Sequence, residues 1–137
     1  GVLVLLSAMF LFVGVTGPPL GLSDYPVASI DWLRAHDRFA APHRLVTRDT
    51  VGNYLELRRA PRHAVFIDDR VDMFPLEVSN DYTAMLASSN AGVHALKRWR
   101  IDTVLWSSSS PFVQRLRASG GWSVAFRQKG WVVLFKS

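Results

Sequence analysis

The sequence predicts a small three-layer α/β domain over residues 24–137, its sheet mostly parallel with an antiparallel hairpin at the C-terminal edge. Three observations predict it. Short apolar runs at Arg44–Thr47, His63–Ile67 and Thr103–Trp106 alternate with segments of helical periodicity. Strands separated by helices pair in parallel. The last two runs, Trp122–Arg127 and Trp131–Phe135, are separated only by Gln128, Lys129 and Gly130, a loop of hairpin length.

Residues 1–20, GVLVLLSAMFLFVGVTGPPL, are a different material. They carry no charge, and the first ionisable side chain is Asp24. Val2 to Val15 is interrupted only by Ser7 and Gly14, and Gly17, Pro18 and Pro19 stop the run. A bilayer-spanning helix needs about 20 apolar residues. The segment reads as the end of a transmembrane helix, cut inside a longer apolar stretch, with the lipid bilayer as its partner. A signal-peptide core would show a basic start, and a buried core helix would show a polar face.

The domain proper begins with a helix capped by Ser23 or Asp24, with Pro26 in its first turn. Val27, Ile30 and Leu33 recur at helical spacing. A strand at Arg44–Thr47 leads to Asp49 or Thr50, which caps a short helix over Val51–Arg58. After a loop at residues 59–62, His63–Ile67 reads as a buried strand ending in Asp68, Asp69 and Arg70. Two helices follow. Leu76–Ala87 carries Val78, Tyr82 and Met85 on one side, and a helix starting at Asn90 carries Val93, Leu96 and Trp99. Thr103–Trp106 is the next strand. Ser110-Pro111 opens a helix that holds Phe112, Val113 and Leu116, and Gly120-Gly121 ends it.

Composition excludes some chemistry. No cysteine is present among 137 residues, so disulfides, zinc–thiolate sites and thiol catalysis are ruled out. Sixteen Lys and Arg against eleven Asp and Glu leave a net charge of +5, which suits anionic partners without naming one. No glycine-rich phosphate cradle and no Gly-x-Ser-x-Gly elbow around Ser107–Ser110 occurs. His36, His43, His63 and His94 show no helical i, i+4 pairing, and no metal site is expected.

Asp68, Asp69 and Asp72 are the best candidates by position, because ligands of open α/β sheets bind beyond the carboxyl ends of strands. A haloacid-dehalogenase-like phosphatase needs Asp-x-Asp there. Arg70 stands two residues after Asp68 and Val71 two after Asp69, so that pair is missing. Divalent metal binding by the three carboxylates and a plain turn closed by Arg70 are the competing readings. The basic patch Lys97-Arg98-Trp99-Arg100 reads as a solvated helix face with Trp99 turned inward. Lipid phosphates are its alternative partner. Nucleic acid is not expected for a membrane-tethered domain outside the cytoplasm.

Several segments resemble one family. Tyr25-Pro26 through Trp32-Leu33, Gly52-Asn53-Tyr54-Leu55, Phe66-Ile67-Asp68-Asp69-Arg70 with Asp72, Asp81-Tyr82, Ile101-Asp102 with Leu105, and Trp122 through Arg127 are similar, in order and spacing, to stretches of bacterial polytopic membrane proteins. Those proteins are of the GT-C glycosyltransferase-like class, the mannosyltransferases that use polyprenyl- or dolichyl-phosphate sugars. Asp69 stands where Gly is usual, and Gln128 where Asp is usual.

The resemblance implies a soluble C-terminal domain at the cell membrane, on the extracytoplasmic side, with the catalytic acid elsewhere in the parent. It implies no cofactor in residues 1–137 and a divalent cation in the parent. The expected function is therefore non-catalytic, aiding the binding of a lipid-linked sugar, a glycan acceptor or a partner. A singly anchored or secreted binding module and a metal-dependent phosphatase are the alternatives. The candidate ligand site comprises Asp68, Asp69, Arg70 and Asp72 with Asn53 and Tyr54. Its carboxylates would accept from sugar hydroxyls, Arg70 would meet phosphate, and Tyr54 would stack on a sugar face.

Overall fold

A computed structural model describes residues 21–58, 60 and 65–137. The apolar segment 1–20, expected to end a transmembrane helix, lies outside the described residues, as do residues 59 and 61–64. Among the described residues, no helix is long and apolar enough to cross a membrane.

Four strands form one sheet: β1 (Leu45–Thr47), β2 (Thr103–Ser107), β3 (Trp122–Gln128) and β4 (Trp131–Lys136), in the spatial order β1-β2-β4-β3. Successive strand residues face opposite sides of a sheet. Leu45, Leu105 and Val133 join one apolar cluster, with Ile30, Leu33 and Leu55. Val46, Val104, Trp106, Val132 and Leu134 join the other, with Tyr82, Met85, Leu96, Phe112 and Leu116. Helices α1 (Val27–Ala35) and α2 (Asp49–Leu57) therefore cover one face. Helices α3 (Leu76–Leu86), α4 (Asn90–Arg98) and α5 (Pro111–Ala118) cover the other.

The sheet is mixed, and the expectation of a mostly parallel one is corrected. Only β1 and β2 pair in parallel; β2 with β4 and β3 with β4 are antiparallel. The physical reason lies in the hairpin. The central residues of β4, Val132, Val133 and Leu134, are all buried, whereas β3 is only half-buried and carries Arg127 and Gln128. The more apolar strand takes the inner place beside β2. Of the expected strand at His63–Ile67, His63 and Ala64 lie outside the described residues. Val65 to Ile67 enter no ladder among the described residues, although Ile67 is fully buried.

The cap of α1 comes from an unexpected place. Pro26 occupies the N-cap and makes no side-chain bond. Gln128 at the end of β3 supplies the acceptor instead: its Oε1 takes the Ser29 backbone N–H (2.9 Å) and the Ser29 hydroxyl (3.1 Å). Its Nε2 donates to the Tyr25 carbonyl (3.2 Å). Ser110 caps α5 as expected, accepting from Phe112 N–H (3.2 Å), and Ser89 caps α4, accepting from Gly92 N–H (3.2 Å). The expected cap of α2 by Asp49 or Thr50 is corrected: both lie inside the helix, and its N-cap Arg48 makes no side-chain bond. Gly92 also brings α4 against α3, since a Cβ there would stand 2.5 Å from the Ala84 carbonyl oxygen.

Candidate functional site

The acidic segment sits where α2 meets the chain that follows Ile67. Contact there is backbone to backbone: a Cβ on Gly52 would lie 2.1 Å from the Ile67 carbonyl oxygen and 3.1 Å from Asp68 Cα. No other residue allows that approach. The next residue, Asn53, then reaches across, and its Oδ1 accepts from Asp69 N–H (3.3 Å). Two stretches that carry the family resemblance, Gly52–Leu55 and Phe66–Arg70, are thus one structural joint.

Asp68 is fully buried, and Arg70 occupies its carboxylate. The Arg70 backbone N–H donates to Oδ1 (2.9 Å). Arg70 Nε donates to Oδ1 (3.2 Å) and Oδ2 (3.1 Å), and Nη2 also donates to Oδ2. The same Nη2 meets both oxygens of Glu56 on α2, at 3.0 and 2.8 Å. Hydrogen bonding by Arg70 holds the Asp68 carboxyl below its ordinary pKa, against burial, which raises it. Asp68 and Glu56 together raise the Arg70 guanidinium above its already high value. What results is an ion-paired turn that fastens the 67–70 segment to α2.

The other sequence candidates are placed around this turn without converging on one point. Asp69 and Asp72 border a cavity of about 500 Å³ with Phe74 and Ser79. Asn53 and Tyr54 border a different one, about 250 Å³, with Tyr25 and Leu57. Tyr54 is buried, and its ring lies 5.5 Å from that of Tyr25, which leaves little face for a sugar. Asp69 needs no glycine: the non-glycine residues with positive φ are Asp37, Ser88 and Arg100. Among the described residues, no group of three His, Asp or Glu side chains could hold a metal ion.

Two further carboxylates act in the same structural way. Asp81 on α3 takes two bonds from Arg98 Nη1 (3.1 and 2.9 Å) and one from Trp99 Nε1 (2.7 Å). Arg98 is exposed, as a solvated face requires, and is also ion-paired across α3 and α4. Tyr82, beside it, accepts from Asp49 N–H at the start of α2 (3.0 Å), and burial raises its phenol pKa. Asp102 precedes β2 and accepts from the Arg44 N–H (3.2 Å) and the Thr103 hydroxyl (2.8 Å). It also faces His43 Nδ1 at 2.8 Å. Burial alone would raise the Asp102 pKa; hydrogen bonds from His43, Thr103 and Arg44 outweigh it and leave it lowered.

Sequence reasoning missed one group. Arg44 directly precedes β1, and Trp99 to Ile101 closely precede β2. The parallel register sets Leu45 opposite Thr103, so these lead-in segments meet. Arg44 Nη1 donates to the Trp99 carbonyl (3.4 Å), and Arg44, Trp99 and Arg100 border a cavity of about 640 Å³. The signal was available in the pairing of the two strands, not in any local motif. Compared with family models, with curated proteins and with solved structures, the chain finds no match.

Proposed function

We propose that residues 24–137 form a non-catalytic accessory domain at the C-terminal end of a polytopic, glycosyltransferase-like membrane protein that uses a lipid-linked sugar. On this reading the domain lies on the extracytoplasmic side, tethered through residues 1–20, and assists the binding of an acceptor or partner. The observation that carries it is the fate of the residues behind the family resemblance. Gly52, Asp68, Asp81, Tyr82 and Asp102 all serve contacts within this domain. Such residues specify a fold, and the resemblance supplies the setting in which that fold works. A phosphatase nucleophile at Asp68 fits poorly, because its oxygens face Arg70 from within the protein.

Deleting residues 24–137 from the parent protein, in membranes of its host, tests the reading. Transfer of labelled sugar from the lipid-linked donor should fall several-fold with donor choice unchanged. The 137-residue chain alone should show no Mg²⁺-dependent phosphatase activity. Phosphatase activity abolished by Asp68→Asn would overturn the reading in favour of an enzyme. A parent with one span and no transferase activity would overturn it in favour of an anchored binding module.

A further inference from the structure

The cavity at the amino-terminal ends of β1 and β2 has the composition of a ligand site. Its volume, about 640 Å³, falls within the range of small-molecule pockets. Pro42, Val65, Phe66, Val78 and Ile101 give it apolar walls, and Trp99 adds an indole set edge-on to Phe66, ring centres 5.6 Å apart. Its charged lining is of one sign. Arg44 and Arg100 border it, and among the described residues no Asp or Glu does.

The two arginines differ from the others in this region. Arg98 is spent on Asp81 and Glu77. Arg44 gives one bond to the Trp99 carbonyl and keeps its remaining N–H donors. Arg100 is exposed; its backbone N–H donates to the Lys97 carbonyl (3.1 Å), and its guanidinium has no hydrogen-bond or ion-pair partner among the described residues. Its backbone is left-handed (φ 53°), a conformation unusual for arginine, so the chain turns off the end of α4 at this residue. Asp102 is engaged by His43, Thr103 and the Arg44 N–H. It does not itself border the cavity, although its partners His43 and Arg44 do.

We propose that this cavity binds a phosphate ester whose organic part is apolar. Arg44 and Arg100 take the phosphate oxygens, and the organic part lies against Trp99, Phe66 and Val65. Two guanidinium groups match the charge of a phosphate better than that of a single carboxylate, and their planar forks suit its oxygens. Phosphate held by protein side chains alone is exposed to competition from water, so the apolar walls supply a second source of selectivity. The inference rests on the cavity's own residues and stands apart from the membrane reading above.

The test uses the isotopically labelled 137-residue chain, in a nonionic detergent for the two soluble probes and free of detergent for the vesicles. Three probes are titrated: phenyl phosphate, inorganic phosphate, and phosphatidylcholine vesicles with or without added phosphatidic acid. Phenyl phosphate should shift the Trp99 indole and the Arg44 and Arg100 N–H signals, and should bind more tightly than inorganic phosphate. Arg100→Gln should weaken it about tenfold, the loss of one charge-assisted contact. Because Arg100 is exposed, that variant keeps its fold, and Arg44→Gln provides an independent second loss.

Binding confined to vesicles with phosphatidic acid, and removed by Arg100→Gln, supports the site and assigns its phosphate to a lipid headgroup. Failure of both phenyl phosphate and phosphatidic acid to shift these signals overturns the proposal. Equal shifts at Lys97 and Lys129 overturn it as well, since they would reveal diffuse charge attraction.

Discussion

The turn at Asp68–Arg70 and the cavity at Arg44–Arg100 are both charged, yet they are built on opposite principles. In the turn opposite charges meet: Asp68 is enclosed by Arg70, and Arg70 bridges to Glu56 on α2. In the cavity the guanidinium charges of Arg44 and Arg100 are alike, and among the described residues no carboxylate borders it. A satisfied cluster fixes chain geometry, while an unsatisfied one retains interaction energy for something from outside. Residue type alone does not separate these roles; partner arrangement does.

Four variants or conditions can break that contrast. The largest effect is expected for Gly52→Ala, which drives a methyl group into the Ile67 carbonyl and parts α2 from the 67–70 segment. It should cost about 3 kcal/mol in urea denaturation, and unchanged stability would mean that the joint is loose. Asp68→Asn should cost about 2 kcal/mol, because it weakens a buried, hydrogen-bonded charge. Phenyl phosphate binding should survive that change.

Acid should act in the same direction. The Asp68 and Asp102 carboxyls titrate lower in the folded protein than in the unfolded chain, where Asp has a pKa of about 3.9. The folded state therefore holds their stabilisation in full well above that value. It loses it as pH falls through the lower folded values. Denaturation midpoints should be flat near neutrality and drop in acid, with a shallower drop in Asp68→Asn. The smallest stability effect belongs to Arg100→Gln, within about 0.5 kcal/mol of the parent chain, although its effect on phosphate binding is the largest of the four.

Much of the architecture was legible because it follows from local physics. The helices with strong apolar periodicity lie where the spacing of Val78, Tyr82 and Met85, or of Phe112, Val113 and Leu116, places them. Ser110-Pro111 capped α5 as its chemistry requires. Sheet order was not legible, because it depends on a competition between strands. Only the burial of Val132, Val133 and Leu134 shows that β4 takes the inner position.

The cap of α1 escaped for a related reason: Gln128 and Ser29 are 99 residues apart. A plain turn closed by Arg70 was legible at Asp68 and is what forms; the further reach of Arg70 to Glu56, fourteen residues back on α2, was not. Arg100 was legible as part of a basic patch and Arg44 as the start of a strand, but their proximity was not, because it comes from the parallel register of β1 and β2.

The most direct test measures urea midpoint and phenyl phosphate affinity together in Asp68→Asn and Arg100→Gln. The account predicts a crossed result: Asp68→Asn loses stability and keeps affinity, whereas Arg100→Gln keeps stability and loses affinity about tenfold. Loss of affinity in Asp68→Asn with none in Arg100→Gln would contradict it and return the binding site to the acidic turn.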